Sequence, residues 1–177
     1  MIPAGPYVLR PYTGADASTM SAAVRESGES VGRWMTWAKP SFSDYDALCW
    51  FEYCNQARVT GEAHEFGIFT ADGDFVGGCG LNQFSRLNKL CNLGYWVRQS
   101  RQRTGAATVA TLALRDLAFA SLGLARVEIV IAVGNAASIA VAHKVGAVHE
   151  CVAQHRLQLH GKATAAHVFS FANNANT

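Results

Sequence analysis

Apolar positions along the chain fall into short β-forming runs and longer helical ones, and their alternation divides it into elements. Runs rich in β-branched and aromatic residues lie at 6–10, 64–70 (HEFGIFT), 74–82 (DFVGGCGLN), 88–99 (NKLCNLGYWVRQ), 125–133 (ARVEIVIAV), around 148–159 and at 164–171, and predict strands. Helices are predicted over 13–29, capped by Thr13 or Asp16, and from Ser43 to about 59, with Asp44 and Asp46 in the first turn. A third opens at Gly105 and ends at Gly123, and a fourth runs from Asn135 to Gly146. Ala71-Asp72-Gly73 and His160-Gly161-Lys162 read as hairpin turns, 33–40 (RWMTWAKP) as an irregular aromatic segment, and the NNANT tail as frayed. The order β, α, α, β, β, β, α, β, α, β, β predicts an α/β (α+β) fold, a mixed sheet with helices on its faces.

The chain has 177 residues, enough for one domain spanning 1–177. Hydrophobic residues make up 50% and charged ones 16%, which excludes a disordered chain. Fifteen Lys and Arg against 13 acidic residues give a net charge of +2, no footprint for nucleic acid. The five cysteines are odd in number and form no C-x-x-C pair, which argues against a disulfide framework or zinc site and for a reducing cytoplasm. The start MIPAGPYVLRPY does not read as a signal peptide, and no apolar run is long enough to span a bilayer, so no membrane partner is expected.

The chemistry concentrates in RQRTGAATVATLALRDL, residues 101–117. A strand, a glycine-containing turn and a helix N-terminus together make an anion site, because the first helical N–H groups lack intrahelical partners and the helix dipole is positive there. Gly105, Ala106 and Ala107 keep side chains short for a close phosphate, Arg101 and Arg103 bring charge, and Thr108 a hydroxyl. Taken alone the loop reads equally well as an ordinary turn with solvated arginines. Neither G-x-G-x-x-G at this loop nor G-x-x-x-x-G-K-[ST] anywhere is present. A second segment, NAASIAVAHKVG (135–146), places Asn135 as N-cap and Ser138 on the same helix face; alone it reads as simple capping.

Together these segments resemble the GNAT acetyltransferase superfamily, in particular its branch of Rim-type ribosomal-protein N-acetyltransferases. The superfamily's loop [QR]-x-x-G-x-[GA] is matched by Gln102, Arg103, Thr104, Gly105, Ala106 and Ala107, and GYWV (94–97) is similar to the strand before it. Asn135, Ser138, Lys144 and Gly146 match N-x-x-S…K-x-G, and the resemblance runs from the WMTW segment to the HGK hairpin. It implies a mostly antiparallel GNAT-like sheet flanked by helices, and acetyl-CoA as co-substrate. The pyrophosphate would lie on residues 103–108, the pantetheine arm on the splayed end of Trp96, Val97 and Arg98, and an N–H near Val97 would polarise the thioester carbonyl. Asn135 and Lys144 would complete the cofactor contacts. Ser138 would protonate the leaving thiolate or, as a weak acid, only stabilise or relay, with Asn135 positioning the reactants. The implied reaction is direct attack of an amine.

Three departures from the pattern stand out: Arg103 where the branch usually has glycine, Ala147 in place of an aromatic, and His155, Arg156 and His160 where some relatives carry an acidic base. Candidate bases are then Glu65, Glu128 and His155, whose bland readings are a surface carboxylate, a cross-strand ion-pair partner and a solvated strand residue. Cys79 and Cys91 read as packing thiols rather than nucleophiles. Trp37 and Glu65 are expected on the acceptor side, whereas Trp34 reads as packing. The expected acceptor is a protein or peptide N-terminal α-amine. Alternatives are a small amine or amino acid, or a non-catalytic acyl-CoA-binding domain. A homodimer is a further partner expectation.

Overall fold

The computed structural model describes residues 1–173, so most of the NNANT tail, 174–177, lies outside the described residues. Asn173 itself is anchored rather than frayed, its amide bonding to Ala125 O at 2.9 Å and its side chain to Leu124 O at 3.2 Å.

Eight strands form one sheet: β1 (Ile2–Ala4), β2 (Tyr7–Arg10), β3 (His64–Thr70), β4 (Phe75–Ser85), β5 (Leu90–Val97), β6 (Arg126–Ala132), β7 (Val148–Leu159) and β8 (Lys162–Ala172). Their spatial order is β1-β2-β3-β4-β5-β6-β8-β7, and all pairs are antiparallel except β5–β6. Helices α1 (Ala17–Glu26) and α2 (Asp44–Thr60) connect β2 to β3; α3 (Ala106–Asp116) and α4 (Ala136–Lys144) flank β6. The predicted mixed, mostly antiparallel sheet is therefore present. β1 was not predicted: only three residues long, it gains its pairing from the Gly5 turn at φ +60. No described helix is long and apolar enough to cross a membrane.

Local chemistry explains most boundaries. Ser43 and Asp46 form a reciprocal capping box at the start of α2, and Gly61 ends it in the left-handed region at φ +71. Thr13 and Asp16 form the same kind of box around a single 3-10 turn, so α1 proper starts four residues later than expected. It stops at Ser27, whose hydroxyl turns back onto Ala23 O at 2.6 Å. The helix expected to run to Gly123 keeps α geometry only to Asp116 and finishes as a π turn over Leu117–Ser121.

The sheet separates two cores. On one face α3 and α4 cover Leu81, Leu93, Val127 and Phe169; on the other α1 and α2 cover Phe69, Phe75 and Trp96. Ala147, just past the end of α4, is buried in the first core.

Candidate active site

The site begins where the sheet comes apart. β5 pairs with β4 from Leu90 to Val97, but with its parallel neighbour β6 only over Leu90, Cys91 and Asn92. Residues 93–97 therefore present a free edge toward a splay. In an antiparallel ladder successive residues turn their N–H and C=O groups to opposite sides. Arg98 N bonds to Val76 O at 2.9 Å and Trp96 stands opposite Gly78, so both residues spend their backbone groups on β4. The free edge belongs to Val97 and Tyr95 instead. This moves the expected pantetheine contacts off Trp96 and Arg98 and keeps Val97.

The side chains of Trp96 and Arg98 also point elsewhere. Trp96 packs in the α1/α2 core, 5.5 Å between ring centres from Trp37 and 5.7 Å from Phe75. Arg98 binds the Glu26 carboxylate, a contact that holds Glu26 down to about 2.

Beyond the splay the chain makes a 3-10 turn and then opens α3 at Gly105, which caps the helix from the left-handed region at φ +83. Arg103 is left-handed as well, at φ +63. The loop thus keeps the backbone shape that a glycine would favour and bears the strain of a side chain there. Gln102 reaches Ser30 Oγ at 3.3 Å and Val97 O at 3.4 Å, and Thr104 Oγ1 donates to Arg101 O at 2.7 Å. Arg101, expected to charge the anion site, is paired with Asp74 at 2.8 Å. Arg103 is exposed, and among the described residues its guanidinium has no hydrogen-bond or ion-pair partner. Around Gly105 nothing lies within 4 Å of where a Cβ would stand, and Ala106, Ala107 and Thr108 offer the first helical N–H groups. This open, positively poised helix start fits a pyrophosphate.

Asn135 caps α4, its Oδ1 accepting from Ser138 N at 3.2 Å. Ser138 Oγ lies 2.9 Å from the hydroxyl of Tyr95, which also reaches Ser138 O at 3.1 Å. Burial pushes the Tyr95 phenol up to about 12, against the opposing effect of its Ser138 bond, so it stays protonated. Sequence reasoning missed Tyr95. It sits inside the quoted GYW, and strand alternation turns its side chain away from that of Trp96, toward α4. Lys144 ends α4, exposed and about 12 Å along the helix from its start; the structure does not bring it to Ser138.

On the opposite face of β5 a cavity of about 620 Å³ opens between the sheet, α2 and the 33–40 segment. Its walls are aromatic, with Trp37, Phe42, Trp50, Tyr53 and Trp96 among them. From the sheet Gly78 and Gly94 line it: Gly78 leaves room for the Trp96 ring and the Tyr12 hydroxyl, and nothing stands over Gly94. Trp37 lines it as expected. Trp34 does not: half-buried, it packs over Gly134 beneath Arg33.

Glu65 is buried in this cavity, which overturns its reading as a surface carboxylate. Burial raises its pKa, outweighing the hydrogen bond from Asn82 and the pull of Arg58. Asn82 Nδ2 donates to Glu65 Oε1 at 2.9 Å, and Asn92 Nδ2 to Asn82 Oδ1 at 3.0 Å. The other candidate bases keep their bland readings. Glu128 pairs with Arg126 at 2.9 Å, and His155 is exposed on a β7 bulge at φ +53. Burial drives the Cys79 thiol well up and that of Cys91 to about 12, which leaves both as packing residues. Cys49 and Cys151, by contrast, are exposed.

A profile of the family described as an acetyltransferase (GNAT) domain matches residues 7–148. The chain is 28% identical over 147 residues to the Bacillus subtilis (strain 168) protein YdaF, provisionally named a ribosomal N-acetyltransferase, covering 82% of this chain and 80% of the relative. A Vibrio cholerae structure, provisionally described as a ribosomal-protein-serine acetyltransferase, superposes with a TM-score of 0.84 at 30% identity, covering 97% of each chain. Mycobacterium smegmatis RimJ in complex with CoA-disulfide superposes with a TM-score of 0.89 at 25% identity, over 98% of this chain and 85% of that one.

Proposed function

The chain belongs to the acetyltransferase (GNAT) family, and from that premise we propose that it moves the acetyl group of acetyl-CoA onto the N-terminal α-amine of a protein or peptide by direct attack. The observation that carries this reading is the splay: a free strand edge at Tyr95 and Val97 running into the first N–H groups of α3, which no side chain caps. An extended arm pairs with the first and an anionic group with the second, as coenzyme A requires. The co-substrate supplies the acetyl thioester.

The chain's own residues divide the remaining work. Gly105 to Thr108, with Gln102 and Arg103, hold the pyrophosphate. The N–H of Val97 faces the splay and polarises the acyl oxygen. Ser138, bonded to Tyr95 and capped by Asn135, donates a hydrogen bond to the departing sulfur. Trp37 and Glu65 face the acceptor from the other side of β5. The choice of an α-amine follows from proton chemistry: its pKa is near ~7.7–8.0, so much of it is neutral at physiological pH, whereas a lysine near ~10.4 is almost wholly charged. The relatives named for ribosomal proteins point to the same class of acceptor.

Thiol release from acetyl-CoA, with a panel of N-terminal peptides and free amines, tests this reading. Mass spectrometry of a peptide carrying both amine types should place the acetyl group on the α-amine. Preferential lysine labelling, or turnover confined to small amines, overturns the acceptor assignment. CoA binding without thiol release from any acceptor leaves an acyl-CoA-binding domain.

A further inference from the structure

We propose that Glu65 is the general base of the transfer and that Gly80 and Gly94 floor the lane by which the acceptor amine reaches it. The assignment rests on the acetyl-transfer reading above and deepens it. Glu65, Gly80 and Gly94 stand side by side on three neighbouring strands. A Cβ on Gly80 would collide with both carboxylate oxygens of Glu65, so the carboxylate leans over β4 instead of standing off its own strand. Over Gly94 the opposite holds: nothing lies within 4 Å of where a Cβ would be, and the residue lines the cavity. β5, which carries Gly94, is the strand whose far edge forms the splay. Adjacent strands lie about 4.8 Å apart, so the carboxylate is within reach of that edge through a single bridging water.

The pair of asparagines holds this base in place. Asn82 grips Oε1, and Asn92, the last residue of β5 paired to β6, grips Asn82. Among the described residues no hydrogen-bond donor engages Oε2, the oxygen that lies over Gly80. Other titratable groups surround Glu65. Tyr12, Cys54 and Cys79 are buried and held neutral, and Arg58 directs its Nη2 to the Glu65 carbonyl rather than the carboxylate. His64 turns to Phe84, Tyr95 turns its hydroxyl to Ser138, and Lys39, Asp46, Cys49 and Tyr53 complete the titratable lining of the cavity. In the step itself the amine lone pair becomes the N–C bond and the amine proton passes through water to Glu65. The C–S bond breaks with its electron pair on sulfur, and the thiolate takes a proton from solvent, to which Glu65 returns its own.

Steady-state kinetics of the full chain with acetyl-CoA and a lysine-free peptide beginning Ser-Ala, from mildly acidic to alkaline pH, test the proposal. Glu65→Gln keeps the bond from Asn82. It should lose about 10²-fold or more in kcat, together with the acid limb of the kcat profile, while calorimetric CoA affinity is unchanged. Glu65→Asp should keep the limb at an intermediate kcat. Gly94→Ala adds a methyl that meets nothing in the fold, so its Tm should not fall, yet the methyl stands in the lane and should raise the peptide KM about tenfold or more. A Glu65→Gln variant with wild-type kcat overturns the base, and a Gly94→Ala variant with wild-type kinetics overturns the lane. Should Glu65→Gln not fold, Glu65→Asp and Gly94→Ala decide by the same criteria. A wild-type chain that binds CoA but releases no thiol with the peptide overturns the acceptor reading, and this assignment with it.

Discussion

Ser138 was readable from its motif, but its partner was not, and the pair changes what the serine can do. A serine hydroxyl alone is a weak acid. When Tyr95 donates to Ser138 Oγ, the serine's own proton is free to point at the departing sulfur of the proposed reaction. When Tyr95 donates to Ser138 O instead, the serine proton is drawn back to the phenol. Tyr95→Phe removes that choice with little change in volume. Losing one hydrogen bond of about 1 kcal/mol from the transition state corresponds to roughly a fivefold to tenfold fall in kcat. CoA affinity should hold, and the double variant with Ser138→Ala should be no slower than Ser138→Ala alone. Additive losses in that cycle would separate the two residues. Arg103 makes the same point from the backbone side: its mismatch with the family loop is visible in the sequence, its left-handed conformation only in the structure.

Among the elements, α3 carries the clearest test, because helix stability and anion binding make opposite demands on its first turn. Gly105 is a poor place to probe it, since at φ +83 any side chain strains the backbone. Thr108, the third helical residue and half-buried, is better. A carboxylate there interacts favourably with the helix dipole, by about 0.3–1 kcal/mol, so Thr108→Glu should keep or raise Tm. The same carboxylate repels a pyrophosphate and takes N–H groups that would bind it. Losing one charge-assisted bond of about 1.5–3 kcal/mol weakens CoA binding by roughly 10- to 150-fold. Calorimetry and thermal unfolding of the one variant check both halves. Unchanged affinity would move the cofactor away from α3. The period of β5 belongs to this scale too: GYWV predicts a strand, and only its pairing shows that Tyr95 and Val97, not Trp96 and Arg98, face the splay.

For the whole molecule, contacts between remote segments tie the surroundings of the site together and make the fold sensitive to acid. Glu26 at the end of α1 binds Arg98 and accepts from Ser100 N at 2.6 Å, Gln99 N donates to Ser27 Oγ at 3.0 Å, and His160 at the β7–β8 tip meets Gly32 O at 3.1 Å. Arg98 holds Glu26 down to about 2, and Arg126 does the same for Glu150. A folded-state pKa below the unfolded value near ~4.3 means stabilisation that is present above that pH and lost as pH falls toward about 2. Glu65 has the opposite sign: burial raises its pKa, so its ionised form costs stability, and acidification relieves that cost. The urea midpoint should therefore drop below about pH 4, less steeply in Glu26→Gln, which should be weaker than wild type at neutral pH. Parallel midpoint curves for the two chains would show that the Glu26 contact adds nothing.

The sequence by itself determined most of the elements and the loop proposed to hold the cofactor, because both rest on short-range chemistry. Capping boxes, a glycine after a helix, β-branched runs and a helix start with short side chains are encoded within a few residues of one another. The side proposed for the acceptor was decided by tertiary structure. Glu65 looked like a surface carboxylate in HEFGIFT until α2 and the 33–40 segment closed over it. Nothing in the sequence distinguishes Gly80 and Gly94 from the other strand glycines; the sheet register alone sets them beside Glu65. Tyr95 met Ser138 across 43 positions of sequence because β5 and α4 flank the same splay. Burial and long-range register depend on how the sheet is assembled, and no local run of residues contains them.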